Sequence, residues 1–151
     1  MDYSATAGTA RTVSFAPSAS TWLKLSVGYL MTGVGLGIAM GVTEDFTLKP
    51  VHAHLNLLGW ATMALAGLIY SVYPEAARSR LARIHFWLHN SALPVMMGSL
   101  AWLLTGHPAI VPLLGVAEIV AAVGVIAFAS NVLLNVKPLA AAGGLRAAKG
   151  W

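Results

Sequence analysis

This sequence predicts an all-α membrane protein of four transmembrane helices, with the N and C termini on the cytoplasmic side. Three observations lead there. Of the 151 residues, 58% are hydrophobic and only 9% are charged, whereas a soluble domain carries about 25% charged residues because its surface faces water. The apolar residues fall into four stretches, roughly Trp22 to Val42, His52 to Tyr73, Ile84 to Thr105 and Ile110 to Leu134. Each is near the ~20 residues that cross a hydrocarbon core as a helix. The basic residues lie in the connections, and they are distributed unequally.

Helix is the expected state because lipid cannot satisfy open backbone groups, and these stretches are about twice as long as barrel strands. The first stretch is too long for the apolar region of a secretory signal, and three more follow it. Residues 1–20 are rich in Ser, Thr, Ala and Gly without an apolar period, which predicts a disordered N-terminal tail. Residues 21–136 form the expected transmembrane domain, and 137–151 a basic C-terminal tail. Orientation follows from Lys and Arg. Arg11, Lys24, Arg78, Arg80, Arg83, Lys137, Arg146 and Lys149 fall on one side, against Lys49 on the other, and the basic side is cytoplasmic. Trp22, Tyr73, Trp87 and Trp102 fall near the predicted membrane edges, where interfacial aromatics collect.

Several chemistries are excluded. The chain has no cysteine, so it forms no disulfide, zinc–thiolate site or iron–sulfur cluster. The net charge of +4 is spread over short connections, which is a topology signal and not a nucleic-acid surface. In the first stretch Gly33, Gly37 and Gly41 recur at four-residue spacing. Such a stripe admits close approach of a neighbouring helix, within the bundle or from a second copy.

Ionisable groups inside spans are costly, so each is a functional candidate. The second stretch opens His52-Ala53-His54-Leu55-Asn56. Two positions correspond to about 200° of helical rotation, so both histidines cannot face the interior. His54 lies deeper and heads a row with Leu58, Ala61 and Leu65 that is expected to look inward; His52 is expected at the membrane edge. A ligand role for His54 and a plain hydrogen bond to a carbonyl both remain open. The third stretch opens with His85 and His89, four apart and on one face. His85, beside Arg83, is expected to be solvated, which leaves His89 as the better candidate. His54 near the outer surface and His89 near the inner one stand ~15–20 Å apart along the membrane normal, so they cannot be the two axial ligands of one haem. Glu118 is the only acid well inside a span, expected neutral or paired. It shares the outer half of the membrane with His54. His107, before Pro108, reads as a surface residue.

From His54-Leu55-Asn56-Leu57-Leu58-Gly59-Trp60 through Gly67, Tyr70 and Pro74, and again in Arg80-Leu81-Ala82-Arg83-Ile84-His85-Phe86-Trp87, the sequence resembles the haem–copper oxidase catalytic-subunit superfamily. The likeness is closest to the cbb-type oxidases, and the His52-Ala53-His54 element is similar to that of the membrane proteins of the nitric-oxide response. The resemblance covers about a quarter of the chain and implies a metal ligand at His54. It implies a non-covalent b-type haem, with Asn56 or Glu118 tuning the site and His52 or His89 as further candidates. The implied activity is electron transfer, or nitric oxide or oxygen sensing, in a bacterial inner membrane. The departures matter equally. The family's adjacent copper-binding histidines would fall near Ser99 and Leu100, and the sequence contains no His-His pair, so copper and a complete oxygen-reducing centre are not expected. One chain corresponds to one arc of the family's pseudo-threefold subunit, which implies a homo-oligomer, as a trimer. Two other readings stand beside it: an accessory subunit of a respiratory complex, and a proton or ion conductor through His54 and Glu118.

Overall fold

A computed structural model describes residues 18–138, and no strand occurs among them. Ser18 caps the first helix by accepting a hydrogen bond from the Thr21 backbone N–H at 3.2 Å, satisfying one of the orphan donors of a helix start. Helix α1 therefore begins at Ala19, inside the expected tail, and runs to Thr43. The rest of that tail, and the C-terminal tail beyond 138, lie outside the described residues. Glu44 ends α1 in the left-handed conformation, φ 55°. In the loop that follows, the Asp45 carboxylate accepts from the Thr47 backbone N–H at 2.9 Å, a local turn of the kind short acidic side chains form.

Helix α2 covers Lys49–Val72 and starts with Pro50, whose missing N–H costs nothing in a first turn. Its middle, Leu55–Thr62, is wound as a π-helix. Such wide turns are rare and gather at functional sites. A short α3, Pro74–Arg78, carries an exposed Glu75–Arg78 ion pair at 3.0 Å. Ser79 caps α4, Arg80–Leu104, by accepting from the Ala82 N–H. Gly106, φ 95°, makes the reversal that L side chains resist. A 3-10 turn at Pro108–Ile110 then leads into α5, Val111–Asn135. The long helices thus stand where the four apolar stretches predict them.

By length and composition, three helical segments can cross a membrane: Ala19–Thr43, Lys49–Val72 and Pro108–Asn135. Helix α4 is equally long at 25 residues but less apolar, because it carries His85, His89 and Asn90. Both histidines are turned inward, at 0% and 1% exposure. Large apolar side chains such as Met31, Ile38, Ile119 and Ile126 are exposed on the outside, the reverse of a water-soluble helix.

The chain forms two helical hairpins, α1 with α2 and α4 with α5. The first is closed by glycines. A Cβ on Gly33 would stand 2.6 Å from Asn56 Nδ2, one on Gly37 2.8 Å from His52 Cε1, and one on Gly59 2.6 Å from Tyr29 Cγ. Two members of the glycine stripe therefore serve packing within the chain, while Gly41 has open space around it. In the second hairpin Gly124 lets α5 approach the backbone of α4 at Leu88 and His89. The hairpins meet around Trp22. This residue is fully buried, not interfacial as expected, and its ring stacks on His85 at 4.5 Å. Trp87 and Trp102 are exposed.

Candidate functional site

The five ionisable or amide residues singled out from the sequence do not gather in one place. They divide among three faces of the bundle.

His52 and Asn56 face α1. His52 is half-buried, and its Nδ1 stands 2.9 Å from the Gly33 carbonyl oxygen. Asn56 Nδ2 donates to the His52 carbonyl at 2.8 Å. His52, expected at the membrane edge, is thus also packed against α1: the missing side chains at Gly33 and Gly37 admit it to the hairpin interface.

His54 and Glu118 do share a place, as their common depth predicts, but it is a groove on the outside of the bundle. His54 is exposed and so is Leu65, while Leu58 and Ala61 between them are half-buried, so the row expected to look inward lies along the rim of the bundle with its two ends outward. The inward face of α2 instead carries Val51, Leu55, Gly59, Met63, Ala66 and Tyr70. The groove is about 460 Å³ and is lined by His54, Leu58, Met96, Glu118, Ala121 and Val125 among others. His54 Nδ1 is 2.7 Å from the carbonyl oxygen of Pro50. A carbonyl only accepts, so Nδ1 carries the hydrogen and the neutral ring keeps its lone pair on Nε2. This is the arrangement by which a second-shell carbonyl orients an imidazole for a metal, and the aliphatic walls suit a flat apolar macrocycle. The residues present thus offer one imidazole nitrogen without a hydrogen beside an aliphatic groove open on its outer side. Glu118 makes no hydrogen bond or ion pair among the described residues, so of the two expected states, neutral or paired with a polar group of α2, the pairing is not formed.

The third place is the bundle core, and it holds a constellation that sequence reasoning missed. His85 is not solvated at the edge; it is fully buried beside Trp22, Tyr70, His89 and Phe128. Its Nδ1 is 3.2 Å from the Tyr70 hydroxyl. Asn131, also fully buried, uses its whole hydrogen-bonding capacity. Nδ2 donates to the Ala76 carbonyl at 3.0 Å and to the Tyr70 hydroxyl at 3.3 Å. Oδ1 accepts from Ser79 Oγ and Asn135 Nδ2, both at 2.8 Å. His89 Nε2 donates to the Leu58 carbonyl at 3.1 Å, within the π-helical segment. The signal for this site was present in the i, i+4 pair His85/His89 and in a lone amide deep in the last apolar stretch. Arg83 next to His85 pointed the other way. His107 stands where expected, exposed and stacked on Trp102 at 4.2 Å.

Compared with protein-family profiles, with curated proteins and with solved structures, the chain matches none. The site is therefore argued from its own chemistry.

Proposed function

We propose that the protein is a small b-type haem-binding membrane protein of four spans, with His54 as the axial ligand in the groove it shares with Glu118. One observation carries the reading: the hydrogen bond from His54 Nδ1–H to the Pro50 carbonyl, which frees Nε2 toward an aliphatic groove. The resemblance of the residues around His54 to a family with a ligating histidine there supports it. A haem held there by His54 would supply one-electron chemistry or a site for a diatomic gas. The chain's own residues hold and orient it. Pro50 fixes the imidazole tautomer, Leu58, Ala121 and Val125 would flank the ring system, and Glu118 offers the one polar side chain of the groove besides His54.

In this reading α4 is the fourth span, its polar side chains sheltered by the bundle, and both termini are cytoplasmic. The groove is open outward, so a second protomer would complete it. A trimer is the proposed assembly. With no histidine pair near Ser99 and Leu100, copper has no ligands of the oxidase type, and the proposed activity is electron transfer or gas sensing.

The test is optical. Protein from haem-replete cells is expected to be red, with a Soret band and a haem extractable into acid acetone, since no cysteine anchors it. His54→Ala is expected to abolish the band while the protein still inserts, and His107→Ala to leave it intact. A colourless wild-type protein, or an unchanged spectrum in His54→Ala, overturns the assignment.

A further inference from the structure

Three nitrogen atoms in the bundle core are buried and lack any hydrogen-bond partner: Trp22 Nε1, His85 Nε2 and His89 Nδ1. They belong to rings in mutual contact, Trp22–His85 at 4.5 Å, His85–His89 at 5.4 Å and Trp22–His89 at 6.4 Å between centroids. Unpaired polar atoms inside a protein cost about 1–3 kcal/mol each, so three in one cluster call for a common explanation.

The surrounding bonds determine what each atom offers. Ala76 O is an acceptor only, so the Asn131 atom facing it is the amide nitrogen, and the same nitrogen donates to Tyr70. The Tyr70 hydroxyl, accepting from Asn131, turns its own hydrogen toward His85 Nδ1. As a neutral imidazole His85 then carries its hydrogen on Nε2, a donor. His89 spends its Nε2–H on the Leu58 carbonyl, which leaves Nδ1 as a bare acceptor. The indole N–H of Trp22 donates only. Two donors and one acceptor are therefore left unpaired on three rings in mutual contact.

We infer that Trp22, His85 and His89 form an internal binding site for one water molecule. It accepts from Trp22 Nε1–H and His85 Nε2–H and donates to His89 Nδ1. Buried waters typically make about three hydrogen bonds to groups of this kind. The water closes a directional chain from Asn131 through Tyr70, His85 and His89 to the carbonyl of Leu58, whose side chain lines the His54 groove. A metal ion is disfavoured at the same place, because His85 Nε2 already carries a hydrogen. The inference is independent of any haem.

The full chain, ¹⁵N-labelled in lipid bilayers, tests it by solid-state NMR with magnetisation transferred from water. Transfer is expected to reach an indole N–H and His85 Nε2–H, although neighbouring core backbone amides stay dark. Trp22→Phe identifies the indole signal by removing it. His89→Phe deletes the acceptor, and transfer to His85 Nε2–H is expected to fall to the level of those amides. No transfer in the wild-type protein overturns the proposal. So does a direct ¹⁵N coupling between His85 Nε2 and His89 Nδ1, or displacement of the His85 Nε2 proton by added Zn²⁺.

Discussion

Replacing Asn131 by alanine removes four hydrogen bonds at once and leaves two of their partners, Tyr70 and Ala76, buried and two, Ser79 and Asn135, half-buried. The amide donates to Ala76 O and Tyr70 Oη and accepts from Ser79 and Asn135. Side-chain hydrogen bonds between membrane helices average about 0.6 kcal/mol each and reach about 1.7. The bond to Asn135 lies within α5, and the other three at the average correspond to roughly 2 kcal/mol, or about twenty-fold in the unfolding equilibrium, where 1.4 kcal/mol is tenfold. Two features resist relaxation. Ser79 is held by its cap bond to Ala82, and Tyr70 is wedged between Trp22 and Phe128. Asn135→Ala, which loses one bond near the helix end, is the internal reference and is expected to cost under about 1 kcal/mol. Reversible unfolding of both variants in the same mixed micelles, followed by circular dichroism, measures the difference. If Asn131→Ala costs no more than Asn135→Ala, the network does not join the hairpins as argued, and the hydrogen placement built on it fails as well.

Other expectations follow from single contacts. Gly59→Ala places a Cβ 2.6 Å from the Tyr29 ring and is expected to destabilise by about 1–3 kcal/mol. Gly35→Ala, with nothing within 4 Å, is expected to be neutral or mildly stabilising, and equal melting temperatures for the Gly59→Ala and Gly35→Ala variants would contradict the packing. The proposed topology, with both termini inside, expects Phe46→Cys to be labelled by an impermeant thiol reagent from the outside and Arg78→Cys not to be; labelling of position 78 reverses the topology. The side-chain and backbone hydrogen bonds of Thr47 hold the Asp45 carboxyl below its ordinary value of 3.8. Its contribution is present above the unfolded-state value and is lost as pH falls through the lower folded one. Thr47→Ala is expected to raise the midpoint seen by carboxyl ¹³C NMR, and an unmoved midpoint refutes that cause.

The positions and lengths of the helices were legible in the sequence. A run of about 20 apolar residues in lipid leaves the backbone no other way to satisfy its polar groups, and Pro50, Ser79 and Gly106 mark boundaries where their chemistry requires. Which way each helix faces was not legible. A helix in water announces its buried side by contrast with a polar one, but here the lipid side is as apolar as the core, so α2 and α5 carry little such contrast. His54 was therefore read inward and lies outward, while Trp22 and His85 were read at the membrane edge and lie at the centre. Spacing correctly separated His52 from His54 and joined His85 to His89, because rotation per residue is a local property. The partners Trp22, Tyr70 and Asn131 come from three helices, and only the packing of one hairpin against the other brought them to a common point.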